Sequence, residues 1–181
     1  MLDTLSYIGK KLNKEKILWG VGASMLLNHY GIIDKPNDID ILVSLNDIEK
    51  VDIILKSFGE KKVWEKEAAY STKYFYEYKI NGIDFDIMAG LTINHNEGIY
   101  RHIFDENSIF EIVRINGISI PLTSLEDWYV IYQLIPNREI KVGLIESYFM
   151  TNGINRADLL ARSLEGCLPS RVRDNIKRIL K

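Results

Sequence analysis

The chain has 181 residues, of which 46% are hydrophobic and 27% charged, a composition typical of a globular protein with one ordinary domain or a small α/β unit with a helical annex. Its formal net charge of -2 at pH 7 gives no general attraction to nucleic acids or anionic membranes. The single cysteine, Cys167, excludes an internal disulfide and a cysteine-rich metal site. No signal-peptide pattern or long apolar run is visible, so we expect a cytoplasmic protein without a membrane partner.

The N-terminal segment has its apolar residues at helical spacing, which predicts a short amphipathic helix packed on the body of the protein. These residues are Leu2, Leu5, Ile8 and Leu12. The apolar run "KILWGV", residues 16–21, predicts a buried strand. A turn at residues 22–24 then leads into a predicted helix over 25–30.

The stretch "NDIDILV", residues 37–43, alternates acidic and apolar side chains and predicts a strand over 38–43. Asn46 and Glu49 have the spacing of a capping box at the start of a predicted helix over 47–58. After the first helix, the predicted order is therefore strand, helix, strand, helix.

The stretch "AYSTKYFYEYKINGIDFDIMAG", residues 69–90, contains two alternating runs joined by Asn81 and Gly82, the strongest short signal for a hairpin. A two-residue turn fixes the register of the two strands. One face then pairs aromatic and aliphatic side chains and is predicted to be core. Its pairs are Ile80 with Ile83, Tyr78 with Phe85, and Tyr76 with Ile87.

The opposite face of this hairpin places two aspartates in different surroundings. Asp84 lies opposite Lys79, which predicts an ordinary surface ion pair, whereas Asp86 lies opposite Glu77. Two facing carboxylates repel each other unless a positive charge sits nearby. The register therefore marks Asp86 as the aspartate that needs a partner from elsewhere.

The rest of the chain changes from strands to helices. Asn116 and Gly117 predict a second hairpin, or at least another pair of strands, with Pro121 at its end, and four helical segments follow from residue 123 onward. Strands first and helices last predict an α+β fold. We expect an α/β domain over residues 1–121 and a helical region over 122–181 packed on it.

Asp38 and Asp40 carry the chemistry that the sequence predicts. Aspartates at alternate positions of a strand project from the same face, and two converging carboxylates favour a divalent cation, for which magnesium is the best match. Magnesium is completed in proteins by waters and substrate phosphates. A phosphate site is predicted at Gly22, Ala23 and Ser24, where backbone N–H groups open a helix and Ser24 adds a hydroxyl.

The segments "WGVGASMLL", "NDIDILV" and "DFDIMAG" together resemble the nucleotidyltransferase superfamily related to DNA polymerase β. The resemblance is close over residues 16–90 and loose over the helical remainder. It implies a mixed sheet with flanking helices, followed by a C-terminal helical lobe. It also implies transfer of a nucleoside monophosphate from a nucleoside triphosphate to an acceptor hydroxyl, with release of pyrophosphate.

The resemblance also implies roles for single residues. Asp38 and Asp40 correspond to the carboxylates that bind two magnesium ions carrying the triphosphate. The third carboxylate, which helps to hold a metal and activates the acceptor hydroxyl, corresponds to Asp86 rather than Asp84, in agreement with the hairpin register. The stretch "PNREIKVGLIESY" is similar to a helix that approaches the triphosphate, which makes Arg138 and Lys141 nucleotide-binding candidates.

Two departures from the family pattern support an alternative. Ala23 stands where the family has a second glycine or serine, and Val142 stands where an acidic residue is usual. A catalytically inactive member that binds nucleotide, or that acts as one partner of a toxin and antitoxin pair, would also fit. A third possibility is an RNA-binding module that uses the basic last helix. The sequence does not choose the acceptor, which can be a small molecule, a protein or RNA, nor the nucleotide among ATP, GTP, CTP and UTP.

The three histidines, His29, His95 and His102, have no partner at metal-ligand spacing. They are interpreted as surface or packing residues. His95 follows the acidic strand closely enough to line a cleft.

Overall fold

The structure, a computed structural model, describes residues 1–62 and 71–181. The helices in these residues are α1 (Leu2–Lys14), α2 (Ala23–His29), α3 (Ile48–Lys56), α4 (Leu125–Leu134), α5 (Glu139–Asn152), α6 (Ala157–Ser163) and α7 (Ser170–Ile179). The strands are β1 (Trp19–Val21), β2 (Ile39–Val43), β3 (Glu60–Lys61), β4 (Tyr74–Ile80), β5 (Ile83–Ala89), β6 (Thr92–His95), β7 (Gly98–Arg101), β8 (Ile109–Ile115) and β9 (Ile118–Thr123).

Among the described residues, seven strands form one mixed sheet in the order β3-β4-β5-β2-β1-β9-β8, and β6 pairs with β7 in a small separate sheet. The pairs β2/β5 and β1/β9 are parallel, and the other neighbours are antiparallel. Four helices follow the last strand. The predicted α+β fold, with a mixed sheet, flanking helices and a helical C-terminal part, is confirmed.

The predicted hairpin register is confirmed over the whole length of β4 and β5. Ile80 pairs with Ile83, and the alternation continues to Tyr74 opposite Ala89. Asn81 and Gly82 have φ angles of 52° and 77°, which is the positive-φ pair that a type I′ turn requires. Residues 69 and 70 of the predicted stretch lie outside the described residues.

Two local predictions were wrong, and one small sheet was not predicted. The predicted capping box of Asn46 and Glu49 is absent: Asp47 stands at the N-cap position of α3, and its carboxylate accepts a hydrogen bond from the backbone N–H of Leu18 at 3.2 Å and does not cap the helix. Pro121 does not end the hairpin, because β9 continues to Thr123. A proline is tolerated there since the short strand β1 pairs with β9 at a single position, Leu122. The small sheet β6–β7 was not predicted.

The core lies between the sheet and the helices that cover it. Helix α1 buries Leu5, Ile8 and Leu12 completely, as its spacing predicted, whereas Leu2 of the same predicted set is 51% exposed. Tyr78 and Phe85, on the predicted core face of the hairpin, are also fully buried. Every residue of α4 is buried. This helix therefore holds the residues that its side chains contact in a fixed position. Within the described ranges, no helix has the length and apolar character needed to cross a membrane.

Candidate active site

The predicted carboxylates meet in one cleft of about 300 Å³. Strand β2 lies parallel to β5 with Asp40 in register with Asp86, and Asp38 directly precedes β2. All three aspartates line the cleft. The opposite wall is built by α4 and the start of α5. The structure therefore brings together the three aspartates that the sequence singled out.

Ser24 holds Asp38 in place. Its Oγ lies 3.1 Å from Asp38 Oδ1 and 3.2 Å from the Asp38 carbonyl oxygen, and it accepts a hydrogen bond from the Asn37 backbone N–H at 3.3 Å. Ser24 is only 2% exposed. The hydroxyl that was predicted to face a phosphate is thus already engaged by Asp38, and Ser24 orients a carboxylate.

The turn at Gly22 joins β1 to α2 beneath the cleft. Its N–H donates to the Asp40 carbonyl at 3.0 Å, and a Cβ at this position would collide with the indole ring of Trp128. The indole N–H of Trp128 donates to Thr123 Oγ1 at 2.9 Å, which fixes the ring against the glycine. Gly22 is therefore required for close approach between the turn and α4.

Ala23 begins α2 with a φ of 46°. This left-handed conformation is unfavourable for a residue with a Cβ. The side chain nevertheless lines the cleft. Glycine, one of the two residues that the family pattern has here, would adopt this φ without strain, whereas Ala23 adopts it with a Cβ.

Asp84 and Asp86 differ as the hairpin register predicted. Asp84 forms an ion pair with Lys62 at 2.5 Å and points to solvent, with 48% of its side chain exposed. Lys79 lies opposite Asp84 in the register. Asp86 lines the cleft, where burial, followed by the charges of Asp38 and Glu77, raises its pKa from 3.8 to about 7.

Asp40 is buried in the cleft among charged side chains. Burial, followed by the negative charges of Asp38 and Asp86, raises the pKa of Asp40 well above its usual value, and Lys141 opposes this effect. The pKa of Lys141 is lowered by burial and by the neighbouring Arg138. Both cations line the cleft, and the Lys141 ammonium lies 5.0 Å from the ring centroid of Tyr132. The carboxylates of Asp38, Asp40 and Asp86 thus form an acidic wall of the cleft. It faces a basic wall formed by Arg138 and Lys141.

The acidic wall fits magnesium. Its donors are hard carboxylate oxygens, and the raised pKa values of Asp40 and Asp86 mean that their negative charges lack sufficient compensation. No group of three or more His, Cys, Asp or Glu side chains in residues 1–62 and 71–181 is arranged to hold a metal ion. Magnesium, however, is typically bound by one or two carboxylates together with waters and substrate phosphates. Asp38 and Asp40 would hold it in that way.

Several cleft residues were not assigned a role from the sequence. Glu77 was identified as the residue opposite Asp86, but its position in the cleft wall follows from the placement of α4 above the sheet. Trp128 and Tyr132 of α4 line the same cleft. The sequence predicted the helix that carries them but no role for either residue. His95 lies outside this cleft, in the adjoining cavity.

Solved structures with the same fold were found. A protein from Thermotoga maritima assigned as a nucleotidyltransferase is 26% identical and superposes with a TM-score of 0.61, covering 83% of this chain and 89% of that chain. The antibiotic-resistance protein ANT(2'')-Ia, solved with adenylyl-2''-tobramycin, is 15% identical, with a TM-score of 0.58 and coverage of 98% and 97%. The lincosamide antibiotic adenylyltransferase LnuA, solved with lincomycin, is 16% identical, with a TM-score of 0.52 and coverage of 80% and 96%.

No protein-family model matches the chain, and no curated protein matches it in sequence. The structural likeness therefore carries the assignment of the fold.

Proposed function

Since the chain has the fold of the nucleotidyltransferase superfamily, we propose that it transfers a nucleoside monophosphate from a nucleoside triphosphate to a hydroxyl group of a small-molecule acceptor, with magnesium as cofactor. The observation that carries this proposal is the cleft in which Asp38, Asp40 and Asp86 face Arg138 and Lys141. Carboxylates for a metal and cations for phosphates, placed on opposite walls, match the two charges of a metal-bound triphosphate.

Each residue has a defined task in this reaction. Asp38 and Asp40 hold the metal, and Ser24 keeps Asp38 oriented. Lys141 and Arg138 bind the phosphate oxygens and compensate their charge. When bound, magnesium neutralises charge on the phosphates and on the leaving pyrophosphate.

Asp86 is assigned to the acceptor. Its carboxylate accepts the proton of the attacking hydroxyl while the new bond from oxygen to the α-phosphorus forms and the bond to the β-phosphate oxygen breaks. Pyrophosphate leaves with the bonding electron pair. A pKa near 7 suits a group that must take up a proton near neutral pH.

A small-molecule acceptor is supported by three observations. ANT(2'')-Ia and LnuA, which share the fold, were solved with small antibiotics or their adenylylated form. The cleft has about 300 Å³, which is in the range of pockets for small ligands. The overall charge of -2 also gives no general attraction to RNA.

A second candidate function is nucleotide binding without transfer, in which the chain acts with a partner protein. The strained φ of Ala23 and the apolar Val142 favour it, because both sit where the family pattern has other residues. Bound triphosphate without pyrophosphate release would select this alternative.

Three variants test the proposed reaction. The protein is incubated with magnesium, each of the four triphosphates and a panel of hydroxylated small molecules, and pyrophosphate release is measured. We expect Asp40→Asn and Asp86→Asn to reduce transfer by at least about a hundredfold. Asp84→Asn is the matched control, since Asp84 is on the same strand but is paired with Lys62 outside the cleft. Equal activity of Asp40→Asn and Asp84→Asn contradicts the proposal.

A further inference from the structure

Lys141 of the basic wall has no ion-pair partner among the described residues. Asp38 and Asp40 raise its pKa without forming such a pair. On α5, the residues three and four positions further on are Leu144 and Ile145, so the helix supplies no acidic neighbour there. A lysine side chain is long and loses much freedom when it is ordered. Another kind of contact is therefore needed to fix its direction in the cleft.

The ring of Tyr132 supplies that contact. The Lys141 ammonium lies over the ring, 5.0 Å from its centroid, which is within the roughly 6 Å at which the ring quadrupole attracts a cation. Tyr132 is only 3% exposed, and the attraction is stronger where water is excluded. A carboxylate in the same place would compete with phosphate oxygens for the ammonium, whereas a neutral ring adds no negative charge. The contact therefore orients the lysine and leaves its charge to the phosphates.

The ring of Tyr132 is itself held in place by the sheet. Trp128 precedes it by four residues on α4 and so lies on the same face of the helix, and the two ring centroids are 5.5 Å apart. The indole N–H of Trp128 donates to Thr123 Oγ1 at 2.9 Å, and that hydroxyl donates to the Val21 carbonyl at 3.0 Å. Because Thr123 and Trp128 are also buried, Tyr132 is fixed relative to strands β1 and β9.

The indole ring of Trp128 connects the two walls of the cleft. It packs against Gly22, whose N–H donates to the Asp40 carbonyl at 3.0 Å. The same indole contacts Tyr132, over which Lys141 lies. One buried ring thus braces both the strand that carries a predicted metal ligand and the ring that orients a predicted phosphate ligand. Fixed spacing between such groups matters because small displacements of reacting groups lower the rate.

We propose that Tyr132 is a positioning residue, whose ring holds the Lys141 ammonium where it meets the phosphates of a magnesium triphosphate. This inference rests on the proposed nucleotidyl transfer and adds a residue that acts through Lys141. A lysine that is already oriented loses less freedom when the triphosphate binds, so the ring strengthens binding. Loss of the ring should raise KM for the triphosphate more than it lowers kcat.

A double-mutant cycle tests whether Tyr132 acts through Lys141. The affinity of the full chain for each of the four magnesium triphosphates is measured by calorimetry without an acceptor. We expect Tyr132→Leu alone to weaken binding by about tenfold. In the Lys141→Met background, the same substitution should weaken it by less than about twofold. Equal weakening in both backgrounds would show that the loss of the ring acts by general damage, and it overturns the inference.

Two further changes at Tyr132 separate the charge attraction of the ring from its shape. Tyr132→Phe keeps the ring without its hydroxyl, and its affinity should remain within about twofold of the wild type. Pentafluorophenylalanine in place of Tyr132 fills nearly the same space but reverses the sign of the ring quadrupole, so we expect a loss as large as that of Tyr132→Leu. This protein carries the test if Tyr132→Leu does not fold, which circular dichroism shows. Wild-type affinity in the fluorinated protein overturns the inference.

The contact also has a readout that needs no nucleotide. Protons above an aromatic face resonate upfield, so the Lys141 side-chain signals should be shifted upfield in the wild type and in Tyr132→Phe but not in Tyr132→Leu. Their disappearance in Lys141→Met assigns them. Absence of the upfield shift in the wild type overturns the inference and leaves the proposed function standing. Failure of the wild type to bind any triphosphate, with the shift present, contradicts the proposed function and with it the role of the contact.

Discussion

The hydroxyl of Ser24 lies 3.1 Å from the carboxylate of Asp38, and the same oxygen accepts a hydrogen bond from the Asn37 backbone. A buried side chain of α2 thus fixes the orientation of a carboxylate that lies just before β2. The three contacts involve one hydroxyl, so its removal releases the Asp38 side chain and the turn before it together.

Ser24→Ala tests this positioning role. We expect kcat to fall by about tenfold, because a misplaced catalytic group loses effective concentration, while the protein remains folded. Ser24→Thr keeps the hydroxyl and should recover part of the activity. Pyrophosphate release at saturating triphosphate measures kcat, and unchanged kcat in Ser24→Ala would show that Asp38 needs no such support.

Substitutions at two adjacent residues of the turn, Gly22 and Ala23, should change the free energy of unfolding in opposite directions. Gly22→Ala places a methyl group against the Trp128 ring and should destabilise the fold by about 2 kcal/mol or more. Ala23→Gly relieves a φ of 46° and should stabilise it by up to about 1 kcal/mol, since the relief exceeds the added freedom of the unfolded chain. Urea unfolding measures both changes. A lower free energy of unfolding for Ala23→Gly than for the wild type would contradict the interpretation that the backbone of Ala23 is strained.

In the metal-free protein, Asp86 makes the free energy of unfolding depend on pH. Its pKa is raised from 3.8 to about 7, so as pH rises between these values the unfolded chain ionises while the native carboxyl remains protonated. Native stability therefore falls between about pH 4 and pH 7. Asp86→Asn removes this loss and should raise stability at pH 8 by about 1 to 3 kcal/mol. At pH 4 the gain should be small; an equal gain at both pH values would exclude titration of Asp86 as its cause.

Lys141 tests the basic wall of the cleft. It faces Asp40 and Asp38, and both carboxylates raise its pKa against the effect of burial. Lys141→Met keeps the length of the side chain but removes its charge, and we expect about a tenfold loss of affinity for magnesium triphosphate. Lys177→Met, an exposed change on α7, is the control. Equal affinities of the two variants for magnesium triphosphate would show that Lys141 does not bind the nucleotide.

The short-range parts of the site could be predicted from the sequence. A two-residue Asn-Gly turn fixes the register of its hairpin, which was sufficient to distinguish Asp86 from Asp84. The alternation in "NDIDILV" likewise predicted that Asp38 and Asp40 act together. Both inferences depend only on backbone periodicity and local turn geometry.

The long-range parts could not be predicted in this way. The parallel pairing of β2 with β5 and the position of α4 over the cleft depend on packing between distant segments. Ser24 illustrates the difference, since its place in the turn was predicted but its contact with Asp38 was not. The contact of the Asp47 carboxylate with the Leu18 backbone N–H was likewise missed, because Leu18 belongs to another part of the chain.

The pairing of Asp40 with Asp86 also affects the order of events during synthesis. Strands β2 and β5 are neighbours in the sheet, but α3, β3 and β4 lie between them in the chain. A nascent chain that ends before β5 already contains both aspartates of "NDIDILV" but lacks the carboxylate beside them. Contacts between distant segments form slowly because a long loop must close first. The three carboxylates can therefore meet only after β5 has been synthesised, and a chain that stops before β5 lacks one of the three carboxylates of the proposed site.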